Sequence, residues 1–276
     1  MAVATAAAPR DEMAEGEVRR EIQAKFSFLA WTAAVWVGIF VLIIIFFSFI
    51  KLDFGFIIKW MPFIMAGIPM TLFVSVASIA LAVLLAFIGA LGRLSRNPLF
   101  FGLSTFYVSI IRGTPLLVQV FMWFLGLPQV KIPFIAPEGI VLPALLAGIL
   151  ALAVCYGAYM TETFRAGIQS ISPGQTEAAV ALGMTRSQTM RRIILPQAVR
   201  IVIPPIGNEF IAMTKDSVLV SFMGVWELFF RAQRVGRQYY RNFETLLLAA
   251  VFYWIMQIIL QSIQSRIESR MARGDR

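Results

Sequence analysis

The chain contains no histidine, a single cysteine and few charged residues, and each shortage removes a class of chemistry. Without histidine there is no histidine-dependent catalytic triad, no histidine-ligated zinc and no haem–histidine site. Cys155 alone can form neither an intrachain disulfide nor a CxxC site. No G-x-x-x-x-G-K-[ST] phosphate loop occurs, so any work driven by ATP must draw its energy from another subunit. Charged residues make up 14% of the chain, against roughly 25% in a soluble domain. Hydrophobic residues make up 59%, and the mean hydropathy is +0.79. This is the composition of an integral membrane protein, and 276 residues suit about six helical spans with short loops. The net charge of +9 reads as basic loops that set orientation and meet membrane lipid, with no nucleic acid as a partner.

Residues 1–27 form a polar tail with Arg10, Arg19, Arg20 and Lys25, which the positive-inside rule places in the cytoplasm. The apolar run 28–50 is too long for a signal-peptide core and reads as a retained first span. Residues 51–65, with Lys51, Lys59 and Trp60, suit an outer interfacial segment. Span two is expected at 67–91. Span three, at 99–125, is interrupted by Arg112-Gly113-Thr114-Pro115, and the backbone groups this break frees must be satisfied by protein or water. A proline-rich outer loop at 128–137 leads to span four, at 140–164. Near its cytoplasmic end Glu162 either shapes an inner gate or pairs with Arg165 one turn on.

Span five, at 201–225, carries Asn208, Glu209, Thr214, Lys215, Asp216, Ser217 and Ser221. A charged group at that depth costs about 3 kcal/mol on insertion scales, so such residues point to function. Glu209 and Asp216 are seven apart and share a helix face. Two roles are open for this polar stripe: lining an aqueous path, or a structural network between helices. From 226 to 243 aromatics alternate with Arg231, Arg234, Arg237 and Arg241. Despite the positive-inside rule, that segment is expected outside, as an amphipathic interfacial helix. Span six follows at 245–263, and a basic cytoplasmic tail occupies 267–276.

The densest polar information lies at 172–196, SPGQTEAAVALGMTRSQTMRRIILP. Ser172 and Gln175 fit a capping box, with Pro173 at the first helical position. Gly183 suits the left-handed stop of a short helix. Thr185 and Gln188 fit a second capping box that opens a basic helix running to Pro196. The spacing is Glu177-Ala178-Ala179, three residues, Gly183, nine residues, Ile193, one residue, then Leu195-Pro196. It resembles the EAA loop of the membrane subunits of bacterial ABC importers. Ile111-Arg112-Gly113-Thr114-Pro115-Leu116-Leu117-Val118-Gln119 resembles the RGTPLL signature of that family's polar amino acid (histidine, glutamine, arginine and glutamate) branch. The likeness covers about 64–266 and leaves span one as an addition to a five-helix core.

The resemblance implies an all-α protein of the bacterial inner membrane with the type I ABC importer fold, six transmembrane helices and both termini in the cytoplasm. It implies a non-catalytic permease subunit that binds no cofactor itself. ATP and Mg would sit on cytoplasmic ABC ATPase subunits that grip Glu177, Ala178, Ala179, Gly183 and Arg186. A second copy of the chain or a paralogous permease would complete the path, and a periplasmic or lipid-anchored amino-acid-binding protein would load it. The path residues would be Arg112, Thr114, Gln119, Glu162, Glu209, Lys215, Asp216 and Ser217, with acids facing an ammonium and cations facing a carboxylate. The alternative is a scaffold half of a heterodimer whose partner binds the substrate. A membrane-embedded lipid enzyme using Glu209 and Asp216 as an acid/base pair has no nucleophile or metal site of recognised spacing.

Overall fold

The computed structural model describes residues 28–45, 48 and 52–272. The tail at 1–27, most of 46–51 and the end of the C-terminal tail lie outside them. The chain divides into two units, one ending at Phe54 and one beginning at Gly55. The first holds helix α1, Phe28–Ile45, an apolar helix long enough to cross a membrane.

In the second unit the helices run α2 Phe54–Met65, α3 Ile68–Arg93, α4 Pro98–Arg112, α5 Leu116–Phe121, α6 Ala144–Gln169, α7 Pro173–Ala181 and α8 Arg186–Thr189. They are followed by α9 Leu195–Asp216, α10 Leu228–Tyr239 and α11 Asn242–Ala272. No strand occurs among the described residues; Ile132 and Ala136 form an isolated bridge. Among the described residues, four helical stretches can cross a membrane by length and composition: Phe28–Ile45, Phe54–Arg93, Ala144–Gln169 and Asn242–Met271. A fifth arises if Pro98–Arg112 and Leu116–Gln129, bent by 105°, count as one span. The expected interruption of the third span at Arg112–Pro115 is therefore a sharp fold. The expected fifth span falls on α9, which is not among the apolar candidates because it carries Arg200, Glu209, Lys215 and Asp216.

Small residues make the centre. Ala82, Ala86 and Ala90 of α3 and Ala147, Ala151 and Ala158 of α6 are fully buried, so the two backbones approach closely. A Cβ on Gly89 would stand 2.3 Å from the Thr161 hydroxyl, and one on Gly157 would stand 2.8 Å from Leu85 Cβ. Helix α4 is pinned to α6 by the Tyr107 hydroxyl, which donates to the Val154 carbonyl at 2.6 Å.

Helix α9 contains Pro204 and Pro205. A proline inside a helix leaves a carbonyl one turn back without its usual donor. Two glutamines of α11, seven residues apart, supply donors along this helix. Gln264 Nε2 donates to the Pro204 carbonyl at 3.0 Å. Gln257 Nε2 donates to Thr214 Oγ1 at 2.7 Å and to the Ile211 carbonyl at 3.3 Å.

Helix α10 is amphipathic, as expected, and its apolar face packs inside the protein. Leu228, Ala232 and Ala249 are buried in one cluster with Ile64 of α2. Glu227, fully buried, caps α10 by accepting from the Phe230 amide at 2.7 Å. Its other oxygen accepts from the Tyr253 hydroxyl at 2.7 Å and the Thr71 hydroxyl at 3.3 Å. One carboxylate thus ties α10 to α3 and α11. Glu227→Ala leaves the Phe230 amide and the Tyr253 hydroxyl without their acceptor, while Thr71 keeps the Gly67 carbonyl, and should cost about 2 kcal/mol. A thermal melt in detergent checks this; an unchanged midpoint would show that the carboxylate is not a structural tie.

Candidate functional site

Two regions gather the residues singled out above: the loop 172–196 and a cavity between α5, α6 and α9.

In the loop, α7 starts at Pro173, but the Ser172 hydroxyl makes no cap bond. The Gln175 amide goes instead to the Ser172 carbonyl at 3.0 Å, so the expected first capping box is replaced by a tight backbone turn. The other end follows expectation. Gly183 has φ +75, its amide donates to the Val180 carbonyl, and the Met184 amide donates to the Ala179 carbonyl. That is the paired bonding of a Schellman stop, which requires a left-handed residue. Nothing lies within 4 Å of a Cβ built on Gly183, so the demand there is conformational only.

Thr185 and Gln188 form their capping box in full. The helix they open does not end at Pro196. It passes through a π-turn, Met190–Ile194, straight into α9. A π-turn shifts the hydrogen-bond register, so Pro196 is accommodated at the start of α9 without breaking the rod. On α7, Glu177 and Ala178 are exposed, as are Gly183 and Arg186, while Ala179 is buried. Ala179 therefore seats α7 on the following helix and is not presented to a partner. Two exposed apolar residues were missed: Val180 at 60% and Leu182 at 82% exposure. Their only sequence signal is apolar character on a short helix that has just one buried position.

The cavity, about 230 Å³, is lined by Leu116, Cys155, Tyr156, Tyr159, Glu209 and Asp216. Glu209 and Asp216 do share a face, and it is this one. The Tyr156 hydroxyl donates to Asp216 Oδ2 at 2.8 Å, fixing that carboxylate. Arg112 lies over the Tyr159 ring at 5.4 Å, which places a cation beside the cavity wall. Tyr156 and Tyr159 were not anticipated as lining residues. The signal was their i, i+3 spacing one turn before Glu162, which puts them on one side of α6.

The other expected path residues are placed elsewhere. Lys215 is exposed and lines a separate apolar groove with Val218, Phe229, Leu246, Ala249, Ala250 and Tyr253. Ser217 is buried, and its hydroxyl donates to the Thr214 carbonyl at 2.9 Å, closing the helix end. Thr214 is buried and held by Gln257, so this part of the stripe is the structural network and only the acids face the cavity. Glu162 pairs with Arg165 at 2.8 Å, as one of its two expected roles required, and also with Arg93 at 3.2 Å. Arg93 donates on to Thr105 at 2.7 Å, so this carboxylate joins α3, α4 and α6.

Gln119 and Thr114 serve the break itself. Gln119 Nε2 donates to the Ile111 carbonyl at 2.8 Å, the Thr114 carbonyl at 3.1 Å and Thr114 Oγ1 at 2.9 Å. The Thr114 hydroxyl donates to the Ile110 carbonyl at 2.9 Å. The freed carbonyls are thus met by side chains, and the bend is held at a fixed angle. Among the described residues no group of three or more acidic or cysteine side chains could hold a metal ion.

A family model described as the binding-protein-dependent transport system inner membrane component matches residues 78–273. The probable amino-acid permease protein YxeN of Bacillus subtilis (strain 168) is 38% identical over 222 residues, 80% of this chain and 97% of that protein. The arginine transport system permease protein ArtQ of the same organism is 35% identical over 225 residues, 82% of this chain and 100% of that protein. Among solved structures, the crystal structure of an amino acid ABC transporter with histidines superposes with a TM-score of 0.73 at 37% identity, covering 80% of this chain and 100% of that one. An inward-facing MetNI methionine ABC transporter chain shares the fold, with a TM-score of 0.63 at 20% identity, over 77% of this chain and 98% of that one.

Gln119→Leu keeps the size of the side chain but removes the amide donor at the break, leaving the Thr114 hydroxyl, on the Ile110 carbonyl, as the side-chain donor there. It should lower stability by about 2 kcal/mol and speed amide exchange at residues 111–119. Wild-type exchange there would show that the bend is held by other contacts.

Proposed function

The chain belongs to the family of binding-protein-dependent transport system inner membrane components, and from that footing we propose that it forms an amino acid path whose substrate site is the Glu209–Asp216 cavity. It is a permease component and not a catalytic subunit, as the members of that family are named. The cavity carries the substrate assignment. Two carboxylates on one wall, one of them oriented by Tyr156, suit an ammonium or guanidinium group. Arg112, stacked on Tyr159, suits the carboxylate end of the same molecule. Amino acids with a second cationic group fit best, because the cavity holds two acids and Lys215 faces away. A site inside this chain favours substrate binding here over a scaffold role.

Six spans complete the topology if α9 and the 3-10 stretch Ser217–Met223 cross the bilayer among the other helices, with the polar groups of α9 shielded by α6 and α11. The loop 172–196 then faces the cytoplasm, and α10 lies outside. Glu177, Ala178, Val180, Leu182 and Arg186 offer an ATPase a mixed polar and apolar contact. ATP and Mg reside on that subunit in the bacterial inner membrane complex. Closure of two ATPases on ATP draws two such loops together, one from this chain and one from a second copy or paralogous permease. A periplasmic or lipid-anchored binding protein delivers the amino acid.

Two substitutions test the two halves of this proposal. Asp216→Asn keeps the shape but removes a charge, and uptake of a cationic amino acid into proteoliposomes should fall at least about tenfold, with the complex still assembled. Wild-type uptake would move the site elsewhere. Glu177→Lys should abolish substrate-stimulated ATP hydrolysis while the cavity still binds ligand. Full stimulation would show that the loop is not the coupling element.

A further inference from the structure

Arg112 stands beside two carboxylates and pairs with neither. It is exposed in the last turn of α4, with its guanidinium 5.4 Å from the Tyr159 ring, and Tyr159 is a wall of the cavity that holds Glu209 and Asp216. Neither acid has an ion pair among the described residues. A cation so placed should swing onto them, because opposite charges attract strongly where water is scarce. Thr114 and Gln119 fix the backbone just beyond Arg112, but they do not hold its side chain. One turn beyond Tyr159 on α6, outside the cavity lining, stands Glu162. Arg112 lies within electrostatic range of it. Yet both of its oxygens are taken, Oε1 by Arg93 at 3.2 Å and Oε2 by Arg165 at 2.8 Å. Arg93 is tied further to Thr105 at 2.7 Å, and Arg165 to Gln169. Three arginines thus gather round one carboxylate. Two are committed to the fold, and Arg112 is drawn toward it without an ion pair.

We propose that Glu162 is a positioning residue for the substrate: its charge keeps Arg112 over Tyr159 and out of the Glu209–Asp216 cavity. The inference rests on the substrate reading of that cavity given above. The acids stay open for the cationic group of the amino acid, and the guanidinium stays open for its carboxylate. The stacked position suits this, because a guanidinium lying on a ring keeps its N–H edge free for a bidentate carboxylate. Without Glu162, the nearest uncompensated charge for Arg112 is the acid pair, and its side chain becomes an internal competitor for the substrate's cation. The two arginines already on Glu162 set the strength of the hold. A bare carboxylate there would capture Arg112 in a bidentate pair and withhold it from the substrate. With both oxygens filled, it attracts Arg112 without capturing it. A tie between helices needs only Arg93 and Arg165, and leaves the position of Arg112 without a cause.

The test measures equilibrium binding to the permease–ATPase complex in nanodiscs. The ligands are L-arginine and L-lysine and their carboxylate-free counterparts, agmatine and cadaverine. Glu162→Gln should weaken amino acid and amine alike, at least about tenfold, because Arg112 enters the cavity. Arg112→Gln should weaken the amino acid about tenfold and the amine no more than about twofold. With both substitutions together, the amine should bind as it does to Arg112→Gln alone, a coupling that a tie between helices does not produce. Glu162→Asp keeps the charge and should hold the amine within about threefold of wild type. Arg165→Gln frees one oxygen of Glu162 to capture Arg112, so the amino acid should weaken about fivefold and the amine should not. That variant decides the matter if Glu162→Gln does not assemble. An amine affinity unchanged by Glu162→Gln, or lost equally with and without Arg112, would make Glu162 a helix tie only and overturn the proposal. If Asp216→Asn still weakens the amino acid in that case, the cavity reading stands. A wild-type complex that binds neither arginine nor lysine removes both.

Discussion

Lipid offers no hydrogen bonds, so a helix that breaks at bilayer depth must find partners for its freed backbone groups within the protein. In this chain an amide side chain fills that role at the Arg112–Pro115 break, other amides hold α9, and the site follows from where they pull the helices. Gln119 gathers the carbonyls around Arg112–Pro115 and so holds the 105° bend between α4 and α5. That bend brings Leu116 to the cavity wall. Gln257 and Gln264 grip one side of α9 along and beyond its two prolines, which leaves the other side for α6. On that side Glu209 and Asp216 meet Tyr156. Glu227 does the corresponding work for α10 with a carboxylate in place of an amide.

The charges divide into those neutralised by the fold and those left to act. Glu162 has both oxygens engaged by arginines, which makes it a tie between helices and not a free acid for substrate. Asp216 accepts from a neutral hydroxyl, so its charge stays uncompensated by any cation of its own wall. Buried like charges repel and are costly unless a cation joins them. On the proposed reading of this cavity, a cationic guest would relieve the repulsion between its two carboxylates. The separation of Lys215 from Asp216, neighbours in sequence, follows from helical geometry, since consecutive side chains point about 100° apart.

Much of this was legible in advance. The apolar runs, the glycine stop at Gly183, the Thr185–Gln188 box and the shared face of Glu209 and Asp216 all follow from local periodicity and capping chemistry. What was not legible depends on which helix lies next to which. Gln257 and Gln264 look like stray polar residues in an apolar span until α9 is placed beside them. Glu227 reads as one more charge in a mixed outer segment, yet it is fully buried because Thr71 and Tyr253, far away in sequence, close over it. The continuation of the loop helix through Pro196 was hidden for a local reason. Proline is the strongest sequence signal for a helix end, and the π-turn that accommodates it leaves no composition mark of its own.

That continuation bears on how the two ends of the molecule communicate. From Arg186 to Asp216 the backbone is helical without interruption, so the loop and the acidic cavity lie on a single rod. A displacement of α7 acts on this rod at its first turn, through buried Ala179. Two places along it can flex: the π-turn at 190–194 and the Pro204–Pro205 pair, both recognised sites of helix bending. The second is clamped from α11 by Gln264, whereas the π-turn exposes Arg191 and Arg192 and, among the described hydrogen bonds, is held only from within the rod, by Gln197 Nε2 donating to the Ile193 carbonyl at 2.9 Å. Flexure at the π-turn would decouple α7 from the cavity, and rotation of the rod about Gln257 and Gln264 would turn Glu209 and Asp216 relative to Tyr156. If the loop is the coupling element, as proposed, the π-turn must stay stiff for a displacement of α7 to reach the cavity. On that proposal a partner seated on Glu177, Val180 and Leu182, on the helix that packs beside the π-turn, would favour transmission by stiffening it.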